Sequence, residues 1–318
     1  MSHKRRKEIQ RRRGKKEDGG KSMELAVLAD IHSNYIALER CMEYALNRGI
    51  FHFLFLGDYI GELAYPERTM ELLGQYSEKY DCVFIRGNKE NYWLKYRDGG
   101  EQGWPEYNST TGALYYAYHH LKKRDLEFFE SLRIAQKLQY GDLPTLIACH
   151  GSPTDVRGEI KPGNEAAKQV LEASEVNYVL SAHTHIQGKM VHRGKTAINP
   201  GSVGVSLKAG AKAQFAILHG ENGSWQEEFI SLDYDRERAV KELYESGLFK
   251  RAPYWCTITE RLFYQKHEEE IGHAEVLFRA MELCRQDTGE CNWPDIPEKY
   301  WEQAVEELIP QASKAFLA

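Results

Sequence analysis

A chain of 318 residues with 42% hydrophobic content can bury a substantial core, either as one large domain or as one domain with an appendage. It has no apolar run near the roughly 18–20 residues that span a bilayer, and its basic N-terminus lacks the apolar stretch of a signal peptide; we therefore expect a soluble, cytoplasmic protein without membrane contact. The net charge of −5 hides an asymmetry, since residues 1–22 carry +7 and leave −12 for the rest, which argues against a large nucleic-acid-binding face.

The first segment, 1–22, holds KRRK and RRRGKK without apolar periodicity and is expected to be a disordered basic tail. A tether to nucleic acid and a solvated tail are the two readings, and the second is preferred because basic runs arise so often by chance. From Met23 onward strands alternate with helices. Leu25, Val27 and Leu28 form a short apolar run of the kind expected of a buried parallel strand, and it ends in Asp30-Ile31-His32. A helix comes next, over about Tyr35 to Arg48. Phe51 to Leu56 is a second strand ending in Gly57-Asp58, and after a helix near Pro66 to Tyr76 a third strand, Cys82 to Ile85, ends in Arg86-Gly87-Asn88.

Residues 89–132 read as mostly helical and as a lid or flanking subdomain. Strands return near Leu138 and at Leu146 to Cys149, which leads into His150-Gly151. Tyr178 to Leu180 leads into Ala182-His183-Thr184-His185, and short β segments continue to Leu232. Two layers of strands with helices outside predict a four-layer α/β/β/α sandwich over 23–232. Residues 233–318 read as a helical extension, with an apolar stripe expected at Ala274, Leu277, Phe278, Met281 and Cys284. The six cysteines include no C-x-x-C pair, which fits reduced thiols rather than a zinc finger.

Strand after strand therefore ends in a residue able to ligate a metal: Asp30 and His32, Asp58, Asn88, His150, then His183 and His185. Each has a plain alternative, a turn aspartate or a core histidine, but seven in this order are hard to attribute to turns. Ligand sites in open α/β sheets lie at the carboxyl ends of strands. Mixed carboxylate and imidazole donors suit Mn, Fe, Ni or Zn better than Ca or Mg.

On these motifs the chain resembles the calcineurin-like metallophosphoesterases, and NPGSVG at Asn199 to Gly204 is similar to their bacterial phosphodiesterase branch. The resemblance covers about Met23 to Leu232. It implies two divalent ions and a small phosphorylated substrate. Asp30, His32 and His185 would hold one ion and Asn88, His150 and His183 the other, with Asp58 bridging, and a bridging hydroxide would attack phosphorus.

Arg86 could contact a phosphate oxygen or form a surface ion pair. The family often has His after the Gly-Asn, as the acid that protonates the leaving oxygen; here Lys89 stands there. Lys89 could be an acid of depressed pKa, a phosphate-binding charge (the preferred reading) or a solvent-facing residue. Tyr92, His119 and His120 are other candidate acids. GDYIGE in place of GDYVDRG disfavours a protein Ser/Thr phosphatase and leaves a dinucleoside polyphosphate hydrolase as an alternative. A non-catalytic scaffold, as in the retromer subunit that resembles this family, is the competing class.

Overall fold

The computed structural model describes residues 23–264 and 271–309. The basic segment 1–22 lies outside the described residues. Two five-stranded sheets face each other. The first has the order β10-β9-β1-β2-β3 and the second β4-β5-β6-β8-β7. In the first, β1 (Met23–Leu28) pairs in parallel with β2 (His52–Phe55), which pairs in parallel with β3 (Asp81–Phe84). The hairpin of β9 (Ala213–Glu221) and β10 (Ser224–Leu232) closes the other edge, β9 running antiparallel to β1. The second sheet contains β4 (Ala135–Leu138), β5 (Leu146–Cys149), β6 (Tyr178–Leu180), β7 (Gly188–His192) and β8 (Lys195–Asn199), with β5, β6 and β8 mutually parallel.

Alternation along each strand builds three apolar layers. Leu25, Val27 and Leu54 meet Leu146, Ala148, Leu180 and Ile198 between the sheets. Ala26, Leu28, Phe53 and Phe55 point outward, against Leu38, Cys41 and Met42 of α1 (Tyr35–Asn47). On the far side Cys149, Val179 and Ala197 pack on Ala167 and Leu171 of α6 (Glu165–Ala173). Both faces of β1 are covered, which is why its sequence is continuously apolar rather than alternating.

The helices between β1 and β4 are α1, α2 (Pro66–Lys79), α3 (Asn88–Asp98), α4 (Gly112–His120) and α5 (Lys123–Ser131). The stretch read as mostly helical is thus three helices, with Gly99 to Thr111 connecting α3 to α4. After β10 come α7 (Arg236–Glu245), α8 (Leu248–Arg251), α9 (Pro253–Tyr264), α10 (His273–Thr288) and α11 (Glu298–Leu308). Their core includes Leu243, Ile258, Val276 and Trp301, and also Tyr35, Ala113 and Tyr116 from the earlier helices.

The stripe expected on α10 is corrected in part. Cys284 is buried and Leu277 and Met281 pack beside it, with Val276 and Ala280 added, whereas Phe278 is 68% exposed and Ala274 is also exposed. Helix α10 packs mainly on α11 and less on α9, so the neighbours, and not the count of apolar residues, choose the buried face. Among the described residues all six cysteines are free, Cys82 and Cys291 being the two not fully buried, and no helix is long and apolar enough to cross a membrane.

Candidate metal centre

The parallel strands β1, β2, β3, β5 and β6 all deliver their C-terminal ends to one place. There the chain makes sharp turns, and Asp30, His32, Asp58, His183 and His185 take left-handed conformations, with φ between 51° and 67°. Such backbone is costly for residues other than glycine and clusters at functional sites. Gly57, at φ 99°, and Gly87 make the approach possible. A Cβ on Gly57 would lie 2.5 Å from the Gly87 nitrogen, and one on Gly87 would collide with the carboxylate of Asp58. The turn Asn199 to Gly204 supports the β1 end from below: Val203 and Gly204 N–H donate to the carbonyls of Ala29 (2.9 Å) and Asp30 (3.0 Å). Asn34 caps α1 by accepting from Ala37 N–H and donates to the Gly204 carbonyl, each at 3.0 Å.

Two groups of candidate ligands result, Asp30 with His32 and His185, and Asp30 with Asp58 and His150. Asp30 Oδ1 stands between them, 3.5 Å from His185 Nε2 and 3.9 Å from both His32 Nε2 and His150 Nε2. Asp58 turns Oδ2 toward His32 (3.8 Å) and Oδ1 toward His150 (3.5 Å). Asn88 Oδ1 is 3.0 Å from His150 Nε2. Two ligands each about 2.1 Å from a common ion lie about 3.0–3.4 Å apart, so the spacing is close to that of a filled site. His183 lies beside these groups rather than within them. Its N–H donates to Asp30 Oδ2 (3.2 Å), and its ring meets that of His150 edge-on with centroids 5.3 Å apart.

The proton positions make the case for a cation. His185 Nδ1 donates to the Val205 carbonyl (2.6 Å) and His150 Nδ1 to the Leu56 carbonyl (2.8 Å), while His32 Nδ1 contacts the carboxylate of Glu62. Each contact fixes the proton on Nδ1 and leaves Nε2 as a lone pair. The Nε2 atoms of His32 and His185 then face each other at 3.1 Å, and His150 Nε2 faces the Asn88 oxygen. Asp30 Oδ1 is buried without a hydrogen-bond partner. Lone pairs aimed at lone pairs in a buried place repel unless a positive ion lies among them.

Electrostatics agree. Burial, and then Asp58, hold the Asp30 carboxyl well above the usual range. Burial also acts on Asp58, but the imidazoles of His150 and His32 and the ammonium of Lys89 outweigh it and bring its pKa below the ordinary value. Burial pushes His185 down to about 3 and His183 to about 4, the latter with help from His150, and it lowers His150 as well.

These shifts predict the pH dependence of stability in the metal-free protein. The imidazoles of His150, His183, His185 and His273 (about 4, from burial) stay neutral in the fold, whereas the unfolded chain protonates them near pH 6.5. Asp30 and Glu90 (about 8) are raised and act in the opposite sense. Near pH 6.5 the two sets balance, and below it the unfolded chain binds more protons than the fold, so stability is lost as pH falls from about 6.5. Urea midpoints of chelator-treated protein should drop between pH 6.5 and 5.0, with no such drop between pH 7.5 and 6.5; a flat or rising midpoint between pH 6.5 and 5.0 would contradict this.

Lys89 is neither solvent-facing nor an acid of depressed pKa. Its ammonium is 2.5 Å from Glu62 Oε1 and lies 5.3 Å from the centre of the Trp255 ring on α9, with only 13% of the side chain exposed. Burial alone would lower its pKa, but Glu62 and Asp58 raise it. The protein thus keeps Lys89 charged as the counter-ion of Glu62, whose own pKa is held well down by His32 and Lys89 against burial. Its backbone N–H donates to Asp58 Oδ1 (2.8 Å).

Arg86 is likewise corrected. Its guanidinium donates to the carbonyls of Leu132 and Glu130 at the end of α5, each at 3.0 Å, and so ties that helix to β3. His119 and His120 contact the carbonyls of Tyr115 and Tyr116 four residues back on their own helix.

Four residues that sequence reasoning passed over matter here. Glu62 orients His32. Glu90 accepts the backbone N–H groups of Asp58 (3.1 Å), Tyr59 (3.0 Å) and Gly87 (2.7 Å) and so holds two ligand loops together. Arg157 donates to the Tyr92 hydroxyl (3.0 Å) near His183. His273, at the start of α10, completes the surroundings of Glu62 and Lys89. Only Glu62 and Glu90 had any local signal, as acids four residues after Asp58 and two after Asn88.

Comparison with known proteins agrees with this geometry. The model of the calcineurin-like phosphoesterase superfamily domain matches residues 23–223. The uncharacterised protein MJ0912 of Methanocaldococcus jannaschii is 27% identical over 261 residues, covering 76% of this chain and 98% of that protein. The crystal structure of hypothetical protein PH1004 from Pyrococcus horikoshii is similar with a TM-score of 0.65 at 21% identity, over 78% of this chain and 100% of that one. A metallophosphoesterase from Sphaerobacter thermophilus shares the fold with a TM-score of 0.56 at 22% identity, over 73% of this chain and 99% of that one. A family model that spans every strand of the two sheets but β10, together with the buried Asp and His groups at the strand ends, places the chain in the calcineurin-like phosphoesterase superfamily, as a metal-dependent phosphoesterase.

Proposed function

We propose that the centre is dinuclear and that the enzyme hydrolyses small, nucleotide-like phosphate mono- or diesters in the cytoplasm. The observation that carries this reading is the convergence of the Nε2 lone pairs of His32 and His185 with the unpartnered Asp30 Oδ1, beside a second such meeting at Asp58, His150 and Asn88. Asp30, His32 and His185 would hold one ion, and Asp58, His150 and Asn88 the other, with His183 at hand for the second. The donor set suits Mn, Fe, Ni or Zn. When bound, such ions supply the positive charge that makes water a nucleophile near neutral pH and offsets charge on the phosphoryl oxygens.

The remaining work falls to the chain's own residues. Glu62 and the carbonyls of Leu56 and Val205 keep each imidazole in the ligating tautomer. Glu90 fixes the relative position of the Asp58 and Asn88 loops. Lys89, locked in its ion pair, does not deliver a proton to the leaving oxygen. Rates should therefore fall steeply as the leaving group becomes more basic, aryl phosphates and phosphoanhydrides outrunning simple alkyl esters. Equal rates across leaving groups of widely different pKa would overturn the absence of an acid.

The test of the function is metal analysis of the purified protein with hydrolysis of p-nitrophenyl phosphate and bis(p-nitrophenyl) phosphate in added Mn. Close to two ions per chain with turnover supports the reading. Metal-free protein without turnover would instead make the fold a scaffold.

A further inference from the structure

A cleft of about 450 Å³ opens directly beside Asn88. Its floor is one face of α3, where Asn88, Tyr92 and Lys95 fall at helical spacing, so that Lys95 lies about 10 Å along the axis from the candidate ligand. Trp104, from the connection after α3, forms one end; its ring is stacked on Tyr96 with centroids 4.0 Å apart. Trp293, between α10 and α11, forms a wall with its ring 5.6 Å from that of Tyr92 and is 39% exposed. Arg157 also lines it, donating to the Tyr92 hydroxyl with its guanidinium 5.4 Å from that ring.

The chemistry of this lining is selective. Two cations, Arg157 and Lys95, face a cleft on an otherwise acidic chain, and among the described residues neither has a carboxylate partner. Between and beyond them are flat aromatic surfaces. Planar rings and unpaired cations at the rim of a phosphate-handling centre match a ligand with a phosphate at one end and a planar base at the other. The volume is that of a small-molecule site. The acidity of the rest of the chain disfavours a nucleic acid, which would need a long basic track.

We propose that this cleft is the nucleoside pocket of the enzyme: a nucleoside 5′-phosphate lies along α3 with its phosphate at the Asn88 end under Arg157, and its base against Trp293 and Trp104. The helical extension is then a part of the substrate site, because Trp293 belongs to it. The proposal rests on reading the Asp30–Asp58 centre as the place where the phosphate is handled, so binding is measured apart from turnover.

The experiment is calorimetry on the full-length, Mn-loaded protein with two phosphonate isosteres, those of adenosine 5′-phosphate and ribose 5-phosphate. A CH₂ group replaces the ester oxygen in each, so neither can be hydrolysed. The adenosine compound should bind at least tenfold more tightly. Trp293→Ala should weaken it about tenfold while moving the ribose compound less than twofold, since only the adenosine compound has a base to lose its stacking partner. Trp293→Phe should keep the adenosine compound within about threefold of wild type, which separates loss of the ring from misfolding. Arg157→Ala should weaken both compounds about tenfold. Equal affinity of the two compounds for wild type, or an adenosine preference that survives Trp293→Ala, overturns the pocket. Absence of p-nitrophenyl phosphate hydrolysis would overturn the catalytic reading alone, and leave the base preference to decide the pocket.

Discussion

Asp58→Asn is expected to abolish turnover, with kcat/KM for p-nitrophenyl phosphate falling by at least about 10³-fold, or about 4 kcal/mol of transition-state stabilisation. Each oxygen of Asp58 faces a different imidazole, Oδ2 toward His32 and Oδ1 toward His150, so this carboxylate borders both ligand groups. The substitution removes its negative charge and replaces one acceptor with an NH₂ donor turned toward ligand lone pairs. Bound metal should fall below one ion per chain. The fold should survive, because the loop is held mainly by Glu90 accepting from the backbone of Asp58 and Tyr59, and those bonds do not involve the Asp58 side chain. Full metal content and activity within tenfold of wild type would show that Asp58 does not ligate.

The second large effect is expected at Glu62, which no catalytic scheme requires. Glu62→Ala removes the partner that orients His32 and leaves the Lys89 ammonium, 13% exposed, without its counter-ion. An uncompensated buried charge costs about 3–5 kcal/mol, and loss of a group that orients a metal-ligating imidazole costs roughly 10–100-fold in metal affinity. The two consequences separate in the double variant Glu62→Ala/Lys89→Met. Removing the orphaned charge should return unfolding free energy to within about 1.5 kcal/mol of wild type, while metal affinity stays low because His32 remains unsupported. If the double variant recovers both, or if the single variant is as stable as wild type, the Glu62 relay between Lys89 and His32 is not what holds this part of the site.

Lys89 shows why a motif position can be read correctly as unusual while its partners stay hidden. Lys89 replaces the imidazole expected after Gly-Asn, and from sequence its charge had no visible partner. The partner, Glu62, lies 27 positions earlier, on the loop after β2, and Trp255 closes over the pair from the helical extension. Arg86 teaches the same lesson in reverse: a strand-end arginine beside a ligand motif instead anchors the carbonyl end of α5.

By itself the sequence determined the succession of strands along the chain, the layered α/β architecture and the seven candidate ligands, but not the order of strands within each sheet. These signals are local. A buried parallel strand needs a continuous apolar run, and its carboxyl end lies at the site whatever the rest of the chain does. Asp30, His32, Asp58, Asn88, His150, His183 and His185 can therefore be found as the polar residues just past each run. Only the tertiary structure decided their surroundings. Arg157, His273 and Trp293 come from separate stretches and carry no spacing signal relative to the ligands. The apolar spacing placed Leu277, Met281 and Cys284 of α10 on its packed side but missed Val276 and Ala280, which the neighbours α9 and α11 select in place of Ala274 and Phe278. Covalent neighbours can be read along a chain; partners brought together by packing have no period to betray them until the layers are assembled.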